Sequence, residues 1–505
     1  MQLINLSQRL KENGMLQPNR EAIVYNDKRI SYQELDQLVD RFANGLISLG
    51  VKPGDKMLIS LSNCPEFIIA YYAALRMKVV VVPVNPSYTT GELAVIMNDC
   101  QPSVVVTAEA SLNTFNNLNL TTNPRFIAIN AASGNDRYFS FDGLMESSDA
   151  AAIDIQNDQK DIAVLLYTSG TTGAPKGAML TSKNLYSNAV AITEVLEITS
   201  DNKIFLVAPV YHAAAQSVCM NTAINCGATL VIHNRFLGPQ ILLETIEKEK
   251  VTFLFGPPIF YVLLCNYTDY YQHNFESLRY VISGAAALPE SVFNKFKDIY
   301  GIEIIEGYGL SEASPVVSVN PYRGTKKVGS IGLPLPDVQV KIVDDDFNEL
   351  PTGQIGELAA KGPNIMKGYY QKETETKQVL LNGWLRTGDM AYIDQDGYIF
   401  LVDRKKDLII RGGMNIYPRE IEEVLHTHPD VLEAAVVGIP DELKGEELKA
   451  FIVTRSGNEI SIREIKELLK DKVASFKIPK HFVFVPELPK NSSGKILKRE
   501  LQKTP

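Results

Sequence analysis

One run of the chain, residues 167–177, concentrates groups that bind phosphate: four serine or threonine hydroxyls, three glycines and one lysine, with no acidic side chain. It follows an apolar segment over residues 162–166 that is short enough to be a buried strand. Glycines let a backbone approach a ligand closely, hydroxyl and N–H groups donate hydrogen bonds, and lysine adds a positive charge. The combination favours binding of a polyphosphate over a plain turn of small residues. The run has neither the Gly-Lys-Ser/Thr ending of a Walker A loop nor the Gly-x-Gly-x-x-Gly pattern of a dinucleotide-binding fold.

This run resembles the signature loop of the adenylate-forming superfamily, which comprises acyl-CoA synthetases, adenylation domains that load carrier proteins, and luciferases. The resemblance extends along nearly the whole chain and is strongest to the fatty acyl-CoA ligases of bacteria. It implies that the protein uses ATP, Mg²⁺ and CoA, with Thr168 among the Mg²⁺ ligands. The residues of this run that are expected to bind ATP are Thr168, Ser169, Gly170, Thr171, Thr172, Gly173 and Lys176.

Two later segments each pass from an apolar strand to small residues. Residues 280–288 end in a loop of glycine and alanine, and residues 304–312 contain a tyrosine between glycines and then Glu312. A tyrosine in that setting suits stacking on a base, and a glutamate is a hard oxygen ligand suited to Mg²⁺. The resemblance places adenine against the first loop and gives Glu312 a catalytic and metal-binding role. The residues expected to bind ATP here are Gly284, Ala285, Ala286, Glu306, Gly307, Tyr308, Gly309 and Ser311.

Two isolated residues gain a role only through the resemblance. His212, which follows Tyr211 and precedes three alanines, would alone be read as a packing or surface residue. In the family an aromatic–His pair lies beside the acyl carboxylate, so His212 is expected to act in catalysis. The alanines leave space that suits a tunnel for an alkyl chain, and a tightly packed helix would look the same. Asp389 would alone be read as a turn residue, whereas the family uses it to accept both ribose hydroxyls, with Arg404 assisting.

The C-terminal part of the chain carries a charged run and a second lysine-bearing loop. Residues 403–407 would alone be a solvated loop, but the resemblance makes them a hinge with Lys406 at the pivot. Gly412 and Gly413 are expected to line a channel for the pantetheine arm of CoA, although a glycine pair can also form a simple turn. In the block over residues 488–499, Lys495 aligns with the lysine that catalyses adenylation.

The length and the alternation of elements predict the fold. A chain of 505 residues exceeds what one core supports. Residues 20–110 alternate short apolar strands with amphipathic helices, which predicts a parallel sheet with helices on its faces. We expect an α/β protein in which residues 1–402 form a large N-terminal domain of α/β subdomains with mostly parallel sheets. Residues 403–407 are the predicted hinge, and residues 408–505 a small, mobile α+β C-terminal domain that carries the catalytic lysine.

Composition excludes some partners and leaves others open. The net charge of −9 argues against a nucleic-acid partner, because no overall basic field draws in a phosphate backbone. The five cysteines are scattered without a CxxC pair, which indicates reduced thiols and a cytoplasmic compartment. The sequence predicts no transmembrane segment. Peripheral contact with a membrane and a homodimer both stay open.

Together these features predict an AMP-forming fatty acyl-CoA synthetase for medium- to long-chain acids, whose partners are the small molecules fatty acid, ATP and CoA. The acid and ATP would give an acyl-adenylate and pyrophosphate, and the thiol of CoA would then release AMP. Two alternatives keep the adenylation chemistry: loading of a carrier protein, and activation of an aryl acid such as coumarate. A third is a nucleotide-binding pseudoenzyme, against which the retention of Lys176, Glu312, Asp389 and Lys495 argues.

Overall fold

The structure is a computed structural model that describes residues 5–131, 138–153, 158–168, 175–441, 443–455, 460–470, 472–490 and 496–503. In these ranges the helices are α1 (Leu6–Leu16), α2 (Tyr32–Ser48), α3 (Pro65–Arg76), α4 (Thr90–Cys100), α5 (Leu112–Asn116), α6 (Phe141–Ser147), α7 (Ser182–Val195), α8 (Thr222–Cys226), α9 (Pro239–Glu249), α10 (Pro258–Cys265), α11 (Glu290–Tyr300), α12 (Glu373–Val379), α13 (Pro418–His426), α14 (Ile462–Lys470) and α15 (Lys498–Gln502). A π-helix covers Ala215–Asn221, and short 3₁₀ turns cover Glu109–Ser111, Thr268–Gln272, Ser311–Ala313, Lys405–Asp407 and Ser475–Lys477.

The strands of the same ranges are β1 (Glu21–Tyr25), β2 (Lys28–Ser31), β3 (Lys56–Ser60), β4 (Val80–Pro83), β5 (Val104–Ala108), β6 (Arg125–Ile129), β7 (Phe139–Ser140), β8 (Ile162–Thr168), β9 (Lys176–Thr181), β10 (Lys203–Leu206), β11 (Thr229–Ile232), β12 (Phe253–Gly256), β13 (Tyr280–Ser283), β14 (Ile305–Gly309), β15 (Val316–Val319), β16 (Leu333–Pro334), β17 (Gln339–Val343), β18 (Gly356–Lys361), β19 (Gly368–Tyr369), β20 (Leu380–Leu381), β21 (Trp384–Ile393), β22 (Ile399–Arg404), β23 (Ile409–Arg411), β24 (Met414–Ile416), β25 (Val431–Asp441), β26 (Gly445–Thr454) and β27 (His481–Phe484).

Two large sheets form the body of the protein. One has the order β19-β9-β8-β4-β3-β5-β6-β7, and the other β16-β15-β14-β13-β12-β10-β11-β1-β2. The central strands of both are parallel, and antiparallel pairs stand at the ends, such as β8 with β9 and β14 with β15. Strands such as β4 and β12 are buried along their whole length, because helices cover both faces of a parallel sheet. One apolar cluster, which includes residues of β3, β10 and α3, joins the two sheets.

Local sequence signals account for several of these elements. Ser31 caps α2 by accepting a hydrogen bond from the backbone of Glu34, whose side chain accepts one from the backbone of Ser31 in return. This capping box satisfies backbone donors that have no partner within the helix. Thr89 and Glu92 cap α4 in the same way. No helix in the described part of the chain is both long and apolar enough to cross a lipid bilayer.

Two smaller sheets follow. The first, β17-β18-β21-β20 with β22 beside β21, is antiparallel. The second, β24-β23-β26-β25 with β27 parallel to β26, has its own apolar core with α13 and α14. This arrangement confirms the predicted α/β class, with a large N-terminal domain and a smaller C-terminal one. The boundary after residue 402 and the hinge stay predictions; β22 itself continues through Arg404.

Candidate active site

Two cavities meet where β13 and β14 end, which is the edge of a parallel sheet where ligands usually bind. The inner cavity has a volume of about 200 Å³ and the outer cavity about 320 Å³. Residues 285 and 307–309 line both, so they form a common wall. Predicted site residues that line the inner cavity are His212, Gly284, Ala285, Gly307, Tyr308, Gly309 and Ser311. Those that line the outer cavity are Ala285, Ala286, Glu306, Gly307, Tyr308, Gly309, Asp389 and Arg404.

Three of the four residues of the common wall, Ala285, Gly307 and Gly309, are small. At Gly309 a Cβ atom would come within 2.1 Å of the carbonyl oxygen of Pro315, so only glycine fits there. At Gly284, which lines the inner cavity, a Cβ atom would lie 3.3 Å from the Phe255 ring.

A buried carboxylate lies at the outer cavity. Tyr308 donates a hydrogen bond from its hydroxyl to Asp389 Oδ2 at 2.5 Å, and Arg404 Nε lies 3.2 Å from Asp389 Oδ1. Burial, together with the charge of Asp389, raises the pKa of Tyr308 well above its usual value, so the hydroxyl stays a donor. A carboxylate accepts up to about four hydrogen bonds, which leaves acceptor capacity for a diol. The sequence suggested Tyr308 as a stacking residue but not this contact.

Glu357 of β18 holds the turn that carries Asp389. Its buried carboxylate accepts hydrogen bonds from Arg386 Nε at 3.0 Å and from the backbone N–H of Gly388 at 3.1 Å. Lys405 Nζ lies 3.2 Å from the same carboxylate. Gly388 has a φ of +74°, which favours glycine in this turn. Sequence reasoning missed Glu357, since its partners lie on other strands.

Glu306 supplies an unpaired acceptor in the outer cavity. Its Oε2 accepts a hydrogen bond from the backbone N–H of Leu288 at 3.0 Å, while Oε1 is buried without a partner in the described residues. Burial raises the pKa of Glu306 to about 7. A buried polar atom without a partner is uncommon and indicates a place for a ligand group or an ordered water. The N–H groups of a nucleotide base meet this requirement.

His212 is the basic residue of the inner cavity. Its ring lies against that of Tyr211 with centroids 4.7 Å apart, and its Nε2 is buried without a partner in the described residues. Burial lowers the pKa of His212 to about 4, so the imidazole is neutral at pH 7. Ala213 and Ala214 line the same cavity and lead into the π-helix. Ser283 adds a second buried polar atom, its Oγ, that has no partner among the residues the structure describes.

The strands that flank the first glycine-rich run form a hairpin. Thr168 of β8 pairs with Lys176 of β9. Ala178, two residues further along β9, pairs with Tyr369 of β19. Tyr369 donates a hydrogen bond from its hydroxyl to Glu312 Oε1 at 2.8 Å, and Lys176 Nζ lies 5.4 Å from the Tyr369 ring centroid. Tyr369 therefore connects Lys176 with the predicted metal ligand. Sequence reasoning missed this residue as well. The remaining predicted residues of the run, residues 169–173, lie outside the described ranges.

The oxygen donors of Thr168 and Glu312 fit Mg²⁺, which commonly takes one or two protein ligands and completes its shell with substrate phosphates. The described residues contain no group of three or more His, Cys, Asp or Glu side chains placed to hold a metal. A magnesium ion at this place would thus depend on the nucleotide for its other ligands.

The small domain closes the outer cavity from the opposite side. Its residues Arg419, Glu422, Ile496 and Lys498 line that cavity, as does Asp403 of β22. Lys495, the predicted catalytic lysine, lies outside the described ranges, directly before Ile496.

Thr168, Lys176 and Glu312 stand together beside the cavities without lining either, whereas three other predicted residues lie in exposed turns. Gly412 and Gly413 form the exposed turn between β23 and β24, with φ values of +58° and +80°. Lys406 is exposed in the turn Lys405–Asp407. Their roles in CoA binding and in the hinge stay predictions.

Comparison with known proteins agrees with this geometry. A family model described as AMP-binding enzyme matches residues 10–370, and a second, AMP-binding enzyme C-terminal domain, matches residues 420–495. The chain is 36% identical to a long-chain-fatty-acid–CoA ligase of Bacillus subtilis, over 96% of this chain and 91% of the relative. It is 34% identical to a feruloyl-CoA synthase of Amycolatopsis, over 97% and 96%. The crystal structure of ATP-bound MatB from Rhodopseudomonas palustris superposes with a TM-score of 0.91 at 31% identity, over 99% of this chain and 98% of that one.

Proposed function

We propose that this chain activates a fatty acid of medium to long chain length. The chain belongs to the AMP-binding enzyme family and is an adenylate-forming acid–CoA ligase that uses ATP, Mg²⁺ and CoA. The observation that carries the proposal is the inner cavity, an apolar space that shares a wall with the outer cavity. An acid that lies in the inner cavity has its carboxylate at the common wall, next to a nucleotide in the outer one.

The lining of the inner cavity supports an apolar acid with a single charge. No Lys, Arg, Asp or Glu is among the described residues that line it, so a second carboxylate on the substrate would be buried beside them without a partner. The apolar side chains away from the common wall are Ile192, Leu196, Val218, Phe255, Val316 and Val319. This apolar lining suits an alkyl chain, which has no polar group left without a partner once it is buried.

The chemistry needs charge neutralisation and alignment more than a protein nucleophile. A carboxylate oxygen attacks the α-phosphorus of ATP, and the bond from that phosphorus to the pyrophosphate oxygen breaks. Asp389, with Tyr308 and Arg404, would hold the ribose, and Glu306 would accept a hydrogen bond from the base. His212, which is neutral in its cavity, can donate a hydrogen bond to the carboxylate of the acid. Because it carries no charge, it does not repel the lysines and the Mg²⁺ ion that are expected at the phosphates of ATP. Lys176 and Lys495 would offset negative charge on the phosphates.

Mg²⁺ bound by Thr168 and Glu312 would supply positive charge to the phosphates during departure of pyrophosphate. In the second step the thiol of CoA attacks the acyl carbonyl of the adenylate and AMP leaves. The two steps need different groups at the same carbonyl. Gly412 and Gly413, the predicted CoA-binding residues, are needed only in the second step, and they are exposed in the present orientation of the small domain.

The test is product formation with ATP, Mg²⁺ and CoA across straight-chain acids from butyrate to palmitate, with benzoate and coumarate beside them. AMP and thioester are assayed together, and we expect both to be highest for a straight-chain acid. A maximum on an aromatic acid would identify an aryl-acid ligase. Formation of AMP without a CoA thioester would indicate a carrier protein as acceptor, and no AMP from any acid would leave a nucleotide-binding pseudoenzyme.

A matched pair of variants tests the inner cavity. Leu185, near the start of α7, and Leu196, directly after its end, are equally buried, but of the two only Leu196 lines the cavity. Both changes to alanine remove the same atoms and cost similar stability, on the order of 2–5 kcal/mol. We expect Leu196→Ala to shift the preferred acid to a longer chain and Leu185→Ala to leave the preference unchanged. The same preference in both variants would remove the inner cavity as the acyl site.

A further inference from the structure

Four charged residues meet where the small domain contacts the end of β22; we call them the seam cluster, which consists of Asp403, Arg419, Glu422 and Lys498. Lys498 Nζ, at the start of α15, lies 2.7 Å from Glu422 Oε1 on α13. Asp403 Oδ2 accepts a hydrogen bond from the backbone N–H of Arg419 at 2.9 Å. The guanidinium of Arg419 donates to the carbonyl oxygen of Leu401 at 2.9 Å. All four members line the outer cavity.

The cluster is balanced and largely screened from water. It contains two positive and two negative groups, and the paired side chains of Lys498 and Glu422 are 18% and 16% exposed. Burial alone would lower the pKa of Lys498, but attraction to Glu422 and Asp403 outweighs it and raises that pKa. Loss of one member of such a group leaves a partly buried charge without a partner, which costs more than loss of an exposed pair.

The seam cluster joins two parts of the protein: Arg419, Glu422 and Lys498 lie in the small domain, and Asp403 lies on β22. Glu422 and Lys498 both belong to the small domain, so their ion pair fixes the direction of the Lys498 side chain. Asp403 belongs to β22, whose pairing with β21 also places Asp389 beside Arg404. Lys498 and Asp403 both line the outer cavity, so their opposite charges attract each other between the small domain and the strand that carries part of the nucleotide-binding site.

We propose that Lys498 is a positioning residue for adenylation: held by Glu422, it attracts Asp403 and keeps the small domain closed over the outer cavity. The inference rests on the proposed function, because it assigns Lys498 to the first of the two half-reactions. Lys495, the predicted catalytic lysine, precedes Lys498 by three residues, so an anchor at Lys498 limits where that segment can reach. The second half-reaction, which needs the other orientation, does not depend on this anchor.

The first experiment separates the half-reactions in Lys498→Met. Adenylation is measured by ATP–pyrophosphate exchange with the acid that the wild type prefers, and thioester formation by supplying the acyl-adenylate with CoA. We expect exchange to fall by about tenfold or more, since the closed orientation becomes less populated, with the second step within about twofold of wild type. Lys498→Arg should restore most of the exchange activity. Equal loss in both half-reactions, or wild-type exchange in Lys498→Met, would overturn the proposal.

The chain offers a matched control. Arg463 and Glu467 on α14 form an ion pair at 3.0 Å in the same small domain, exposed and away from both cavities. Arg463→Met removes one positive charge, as Lys498→Met does, and should leave both half-reactions unchanged. A loss of exchange in this control equal to that of Lys498→Met would assign the effect to the net charge of the domain and contradict the seam cluster.

A second measurement needs no substrate. Dyes on Met15→Cys and Leu443→Cys, at exposed positions of the two domains, report the distance between them by energy transfer. A Cys226→Ser background removes the native cysteine that is not buried. We expect Lys498→Met to broaden the distance distribution, and an unchanged distribution would refute the closing role. If no acid supports exchange in the wild type, the proposed function fails while this measurement still tests the seam cluster.

Discussion

The contact between Tyr369 and Glu312 leads to a sharp prediction for the variant Tyr369→Phe. The change removes one hydroxyl and leaves the ring, so the position of Lys176 over that ring is retained. What is lost is the hydrogen bond at 2.8 Å to the carboxylate that we expect to bind Mg²⁺. Glu312 would then be free to rotate away from the geometry that the metal requires.

The size of the effect follows from the type of hydrogen bond. A hydrogen bond to a charged group contributes about 1.5–3 kcal/mol, and each 1.4 kcal/mol is about a factor of ten in rate. Glu312 is only partly buried, so water replaces some of the lost donor and the lower value applies. We expect ATP–pyrophosphate exchange to fall about tenfold at limiting Mg²⁺ and by less than about threefold at saturating Mg²⁺.

The assay is a Mg²⁺ titration of exchange activity, with Tyr370→Phe as the control. Tyr370 is the next residue, and its ring lies 5.4 Å from Lys56 Nζ rather than at the site. Its variant should titrate like the wild type. The reasoning is refuted if Tyr369→Phe shows an unchanged Mg²⁺ dependence, or if Tyr370→Phe shows the same shift.

Three further changes test other parts of the site. In Glu306→Gln, the buried acid whose pKa is raised from 4.5 to about 7 is gone. The folded wild type holds that proton more tightly than the unfolded chain, so its free energy of unfolding falls as the pH rises from about 4.5 through 7. Denaturant unfolding should therefore show that the free energy of unfolding of the variant rises relative to that of the wild type, by up to about 3 kcal/mol at pH 8. A constant difference between pH 5 and 8 would contradict this. Lys495→Ala should reduce adenylation on the order of a hundredfold or more but spare thioester formation from supplied adenylate, and equal losses would reject the assignment. Lys406→Pro should stiffen the hinge and slow thioester formation more than adenylation, which wild-type thioester rates would disprove.

Much of the fold could be predicted from hydrophobic periodicity. The alternation of short strands and helices predicted over residues 20–110 is observed, with α2, α3 and α4 between strands of the two large sheets. The pattern could not show that residues 1–402 contain sheets of different kinds. Antiparallel pairs such as β17 with β18 and β18 with β21 depend on register between strands that lie apart in sequence.

The site divides in the same way. Residues that are adjacent in one strand, such as Gly307, Tyr308 and Gly309 of β14, could be assigned from local spacing, and the structure brings them to both cavities. Glu357 and Tyr369 could not, because each acts through a contact that only the folded sheets create. Glu357 reaches a turn about thirty residues away on another strand, and Tyr369 reaches Glu312 over a greater separation. Neither side chain carries a motif that marks it before folding.

The division of the seam cluster also bears on how the small domain can leave the closed orientation. Lys498 and Glu422 move together, so their ion pair does not break when the domain rotates. The contacts that must break are those of Asp403 and Leu401 with Arg419, and the attraction between Lys498 and Asp403. If all acidic partners of Lys498 and Arg419 were on the large domain, rotation of the small domain would leave both positive charges without a partner. That cost would slow the rotation, and with it thioester formation. Since each basic residue keeps an acidic partner in its own domain, Lys498 with Glu422 and Arg419 with Glu423, the closed orientation can be favoured for adenylation and still be left for the second step.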